Sequence, residues 1–134
     1  MTVLPDYKNK LDGTDKNIII YGHNTKDNSM FDSLKNVLTK EWQTNEDNLI
    51  ITLVTESKEY KYQVFSTYEI KPEDYYLTTG FKSTNNYIYF LNKINSRSNY
   101  NYKVELNEND KILTLSSCLG EGKTRVVLHA KLME

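Results

Sequence analysis

The chain has 134 residues, 26% of them charged, and a formal net charge of -1, a length that suits one domain with one core and is too short for two. So balanced a charge provides no basic field to hold a phosphate backbone, which excludes nucleic acid as a partner. A single cysteine, Cys118, excludes an intrachain disulfide and any site built from several thiolates.

At the N-terminus, Met1-Thr2-Val3-Leu4-Pro5 lacks both the basic and the long apolar region of a signal peptide. The stretch Asn17-Ile18-Ile19-Ile20-Tyr21, bounded by a polar turn and by Gly22, predicts a buried strand with His23 just past its end. That aliphatic run falls far short of the roughly 20 apolar residues that cross a bilayer, so the chain as given reads as soluble, with no anchor. Between Asn28 and Lys40, Met30, Phe31, Leu34, Val37 and Leu38 recur at helical spacing, with Ser29 as the cap. Leu49 to Thr55 and Tyr60 to Ile70 are rich in Ile, Val, Thr, Tyr and Phe and predict a hairpin.

A second helix is predicted over Asn85 to Ile94 from the spacing of Tyr87, Ile88, Phe90, Leu91 and Ile94. Tyr100 to Leu106 reads as an extended segment or weak strand. Lys111 to Ser117 and Thr124 to Leu132 predict two strands joined by a loop containing Gly120 and Gly122. Mean hydropathy is -0.66, but much of that comes from eleven Tyr, which bury area despite their hydroxyls. The reading is one mostly β domain with two helices.

Chemistry concentrates at the ends of three strands. Period-2 alternation places Ile112, Thr114, Ser116 and Cys118 on one face, with Ser116 about 7 Å from Cys118. In the next strand Arg125, Val127, His129 and Lys131 share one parity, so Arg125 opens the strand just across the loop from Cys118. A nucleophilic thiol needs a nearby proton acceptor or positive charge. His129 is roughly 13 Å along its strand from Arg125, which leaves His23 as the acceptor. Arg125 offers fixed donors for a developing oxyanion. A zinc site from Cys118, His23 and His129 lacks a fourth ligand and the close pairing such sites show; no metal and no cofactor is assigned. Taken singly, a lone Cys is more often a buried apolar side chain than a nucleophile.

The combination is more specific. Ile20-Tyr21-Gly22-His23-Asn24 with Met30-Phe31-Asp32-Ser33-Leu34 resembles the histidine segment of class B sortases. Leu113-Thr114-Leu115-Ser116-Ser117-Cys118 resembles their cysteine strand, and Arg125-Val126-Val127-Leu128-His129-Ala130-Lys131-Leu132 their arginine strand, in the family's order. The resemblance covers nearly the whole chain, 1–134, as a single catalytic domain. It implies a closed β-barrel with two or so short helices that lacks an early N-terminal strand, the preceding helices and the membrane anchor.

By the same resemblance Cys118 is the nucleophile, His23 the proton-transfer partner and Arg125 the group that holds the scissile carbonyl. Ser116 and Asn24 become substrate contacts by adjacency, and Ser117, where the family usually has Thr, supports the loop through its backbone. The implied substrate is a surface protein with a sorting signal such as NPxTN, and the acceptor an amine of peptidoglycan or its lipid-linked precursor. The full-length protein is then expected on the extracellular face of the membrane of a Gram-positive cell. Tyr75 to Ile94, with Tyr76, Thr78, Thr79 and Tyr87, occupies the position of the family's recognition loop and helix. The loop from Cys118 to Arg125 is shorter than the family's. An incomplete barrel also exposes an edge, which predicts self-association or lowered stability. Three other readings stay open: a hydrolase of the same fold, a non-catalytic peptide-binding module, and a β domain with an accidental thiol.

Overall fold

Among the described residues, six strands form one sheet in the order β1-β3-β4-β6-β5-β2. They are β1 Thr2–Val3, β2 Asn17–Gly22, β3 Ile50–Val54, β4 Glu59–Ile70, β5 Ile112–Leu119 and β6 Thr124–Leu132. The computed structural model describes residues 2–3, 16–22, 33–55, 58–71, 75–77, 80–119 and 124–133. The mostly β, barrel-like fold expected from the sequence is the one adopted, as a sheet curled into half a barrel. Hairpins β3–β4 and β5–β6 meet through the antiparallel β4–β6 pair at the centre. β2 joins β5 in parallel at one margin, and β1 joins β3 in parallel at the other.

Both faces of this sheet are covered, which explains why its strands carry apolar residues at both parities. One face gathers Ile18, Ile20, Ile51, Leu53, Tyr62, Val64, Leu113, Leu115, Val126, Leu128 and Ala130, with Val37 laid over them. The opposite face gathers Phe65, Tyr68, Ile112 and Val127 beneath Tyr76, Tyr87, Phe90, Leu91 and Ile94. Registered cross-strand partners share a face. Thr114 pairs with His129 and Ser116 with Val127, so Thr114 and Ser116 lie on the second face.

β4 crosses from one parity to the other. Val64 pairs with Ala130, but the next pair is Ser66 with His129, leaving Phe65 as an inserted residue. Such a bulge reverses the alternation beyond it. Tyr68 has the same parity as Tyr62 and Val64 in sequence, yet it pairs with Val127 and lies on the second face, beside His129.

The second helix, α2, spans Thr84–Ser96 after a first helix α1 at Lys40–Gln43. Ser83 caps α2, its side chain accepting from the Asn86 N–H at 3.1 Å. Tyr87, Phe90, Leu91 and Ile94, at i, i+3, i+4 and i+7, form its buried stripe. The Ser66 hydroxyl donates to the Ile94 carbonyl at 2.6 Å, tying the last turn of the helix to β4. The helix expected from Asn28 to Lys40 is instead, among the described residues, a 3-10 turn at Ser33–Leu38, after which Thr39 caps α1 by accepting from Trp42 N–H. Residues 23–32 lie outside the described residues. Gln43 is buried and its amide donates to Val37 O at 2.9 Å and Asn99 Oδ1 at 2.8 Å, closing that end of the first core. Tyr100 to Leu106 is extended in burial pattern but forms no strand. Asn101 Oδ1 accepts from Lys103 N–H, and Lys103 takes φ 58, which breaks any ladder.

Candidate active site

The ends of β2, β5 and β6 meet. β2 runs beside β5 until Gly22 stands opposite Ser117, and across the other side of β5 Cys118 stands opposite Arg125. The strands that carry Cys118 and Arg125 are therefore adjacent. His23 and Asn24 follow Gly22 in the chain and lie outside the described residues, as do Thr78 and Thr79. Cys118 is placed by its backbone register.

Arg125 is half-buried, and its Nη1 donates to the Tyr76 hydroxyl at 3.1 Å. The same hydroxyl lies 3.0 Å from Ser116 Oγ. Ser116 and Ser117 are both buried, at 3% and 5% exposure, so neither presents an open face to solvent. Tyr76 belongs to a single 3-10 turn, Tyr75–Leu77. The turn is gripped from α2: Lys93 Nζ lies 4.4 Å and the Arg97 guanidinium 5.7 Å from the Tyr75 ring centroid.

Below this turn runs a polar chain that sequence reasoning missed. Asn17 Nδ2 donates to the Tyr76 carbonyl at 3.1 Å, and Thr114 Oγ1 donates to Asn17 Oδ1 at 2.7 Å. Thr114 Oγ1 also lies 2.8 Å from His129 Nδ1, and His129 Nε2 lies 2.8 Å from the Tyr68 hydroxyl. A carbonyl only accepts, which fixes the Asn17 amide orientation. Thr114 has one hydroxyl hydrogen and gives it to Asn17, so His129 Nδ1 must carry the proton that it shares with Thr114. His129 Nε2 then accepts from Tyr68. The tautomer is thus set from a main-chain carbonyl three residues away in the chain of bonds. The signal in the sequence was an Asn opening a β-branched run and a Thr and a His at matching parity on adjacent strands.

His129 is fully buried, and burial first, then the Arg97 charge, lower its pKa from 6.5 to about 3. The unfolded chain takes up a proton near the ordinary value while the folded chain does not. Stability is therefore full above pH 6.5 and falls as pH drops toward 3, by about 1.4 kcal/mol per pH unit. Urea midpoints measured down that range should decline less steeply in a His129→Asn variant, which has no titrating ring. Superimposable pH curves for the two proteins would contradict this account.

Tyr87 is core, fully buried with its hydroxyl donating to the Asp110 carbonyl. The exposed aromatic of α2 is Tyr89, at 62% exposure. It borders a shallow pocket lined by Tyr75, Gly80, Phe81, Lys82 and Asn86. Among the described residues no cluster of His, Cys, Asp and Glu has the makings of a metal site, and no helix is long and apolar enough to cross a membrane.

The sortase domain family matches residues 3–133. Sortase B of Listeria monocytogenes is 36% identical over 98% of this chain and 54% of its own length. Sortase B of Staphylococcus aureus is 33% identical over 99% of this chain and 55% of its own. The chain thus spans about half the length of these curated relatives. Among solved structures, a sortase B complexed with triglycine superposes with a TM-score of 0.84 at 34% identity, over 96% of this chain and 61% of that one. The Staphylococcus aureus sortase B–substrate complex gives 0.83 at 34%, over 96% and 60%.

Proposed function

The chain belongs to the sortase family, and on that premise we propose that it is the catalytic part of a class B cysteine transpeptidase acting on a sorting-signal peptide. The observation that supports this most strongly is the convergence of strand ends, Gly22 opposite Ser117 and Cys118 opposite Arg125. It brings together the end of the strand that leads into the histidine segment and the ends of the two strands that carry Cys118 and Arg125.

In the proposed reaction the Cys118 thiolate attacks the carbonyl carbon of the signal's Thr. As the C–N bond breaks, His23 gives its proton to the leaving amine, and a thioester remains on Cys118. An acceptor amine, from peptidoglycan or its lipid-linked precursor, then attacks the thioester carbon and yields its proton to His23. The C–S bond breaks and the thiolate returns. Arg125 holds the carbonyl oxygen through both tetrahedral intermediates. Ser116, Ser117 and Asn24 border the reacting centre in this reading, and no cofactor takes part. Peptide binding is supported by the relatives solved with triglycine and with substrate. The full-length protein would work at the outer face of the membrane, anchoring surface proteins to the wall.

The test is incubation with an NPxTN-type peptide, with and without an amine acceptor, followed by mass analysis. Ligated product with the amine, and a thioester adduct without it, are expected. Cleavage alone would make the chain a hydrolase, and neither product would reduce it to a binding module. Self-association belongs to the same proposal: among the described residues β1 pairs only Thr52 and Leu53 of β3, and a strictly monomeric species by light scattering at high concentration would remove it.

A further inference from the structure

We propose that His129 is a positioning residue, which acts through Thr114 and Asn17 on the main chain of Tyr76 and so sets where the Arg125 guanidinium sits. This rests on the role given to Arg125 above. Its own ground is the unbroken series of bonds His129–Thr114–Asn17–Tyr76–Arg125, all between 2.7 and 3.1 Å.

Tyr76 lies on one turn of 3-10 helix, a structure too short to hold its own position. It is completely buried, and its placement over the sheet depends on what it meets there. Its carbonyl takes the Asn17 amide, and its ring stands edge-on to Tyr68 and His129, with centroids at 6.5 and 6.4 Å. Asn17, Thr114 and His129 are each 0% exposed, so water cannot substitute for a lost member, and each orphaned group would press the turn to move. The β4 bulge supplies the last partner by turning Tyr68 toward His129 Nε2.

Among the described residues, the titratable or charged groups facing His129 are Tyr68 from β4, Tyr76 from the 3-10 turn and Arg97 from the end of α2. Thr114 of β5 and Asn17 of β2 are neutral. None of these asks for a charged imidazole. His129 therefore holds geometry in its neutral form and moves no proton during turnover.

Three variants separate this role from a general loss of folding. His129→Leu removes both ring bonds. Thr114→Val keeps side-chain shape and cuts the series one step further on, and it carries the same expectation if His129→Leu does not fold. His129→Asn puts an amide N–H near the position of Nδ1 and restores the donor to Thr114. With peptide and amine, the first two should lower kcat about tenfold with KM little changed, by the same factor from about pH 6 to about pH 9. His129→Asn should recover most of the loss. Alkylation of Cys118 should proceed at the wild-type rate in all three, because the thiol is not the target.

Nitrogen-15 spectra of the arginine side chains give a readout independent of turnover. The Arg125 resonance, assigned by its loss in Arg125→Ala, should move in His129→Leu and Thr114→Val and return in His129→Asn. An Arg125 resonance unmoved in the folded variants overturns the proposal, as does a loss of kcat whose size changes with pH. If the wild-type chain neither cleaves nor ligates peptide, the proposed function fails, while the Arg125 resonance still decides this inference.

Discussion

Replacing Cys118 by Ala should abolish acyl transfer, lowering the rate at least about a thousandfold, and should remove the thioester adduct from the mass spectrum. The expectation is this severe because the chain has no second thiol to take over and the sheet places Cys118 opposite the permanent cation of Arg125. A hydroxyl or water in its place is a far weaker nucleophile at neutral pH. The substitution removes only one sulfur, so circular dichroism and the melting temperature should stay close to wild type. Residual ligation within tenfold of the parent would mean that another group opens the peptide bond.

The second large effect concerns Arg125. Arg125→Ala should cost about a hundredfold to a thousandfold in kcat, the range found when one preorganised oxyanion donor is lost. Its guanidinium is half-buried and shares a 3.1 Å bond with a phenol that is itself fully buried, so its direction is set before substrate arrives. Arg125→Lys should recover little. An ammonium keeps the charge but not the planar fork that can serve Tyr76 and a carbonyl oxygen together. A lysine variant with wild-type kcat would show that charge alone suffices and that the geometry around Tyr76 is incidental.

The strands were legible because their runs of Ile, Val, Thr and Tyr are bounded by turn residues. The Cys118 and Arg125 strands proved to be neighbours with those two residues in register. α2 was legible for the same kind of reason, an i, i+3, i+4, i+7 stripe behind a serine cap. The segment ending at Leu38 was not, because six residues at near-helical spacing fit a 3-10 turn as well as an α-helix and Thr39 restarts the chain as a new cap. Nor was the bulge at Phe65, since one inserted residue leaves no mark in a run where both parities are apolar. The bulge also hid Tyr68 as the partner of His129 Nε2. On paper Asn17, Thr114 and His129 look like ordinary polar positions, and only the pairing of β2, β5 and β6 shows that they touch. Spacing along β6 set His129 apart from the reacting centre, and it gave no sign that other residues span the gap.

The parallel pairing of β2 with β5 has a consequence for how the fold comes into being. Thr114 and Asn17 bond across a separation of 97 residues, and a contact so distant in sequence can form only once most of the chain has been made. The hairpins β3–β4 and β5–β6 need no such reach. Assembly is thus expected to end with β2 docking against a sheet already in place, so that until this last step the strand carrying Cys118 lacks one of its two neighbours.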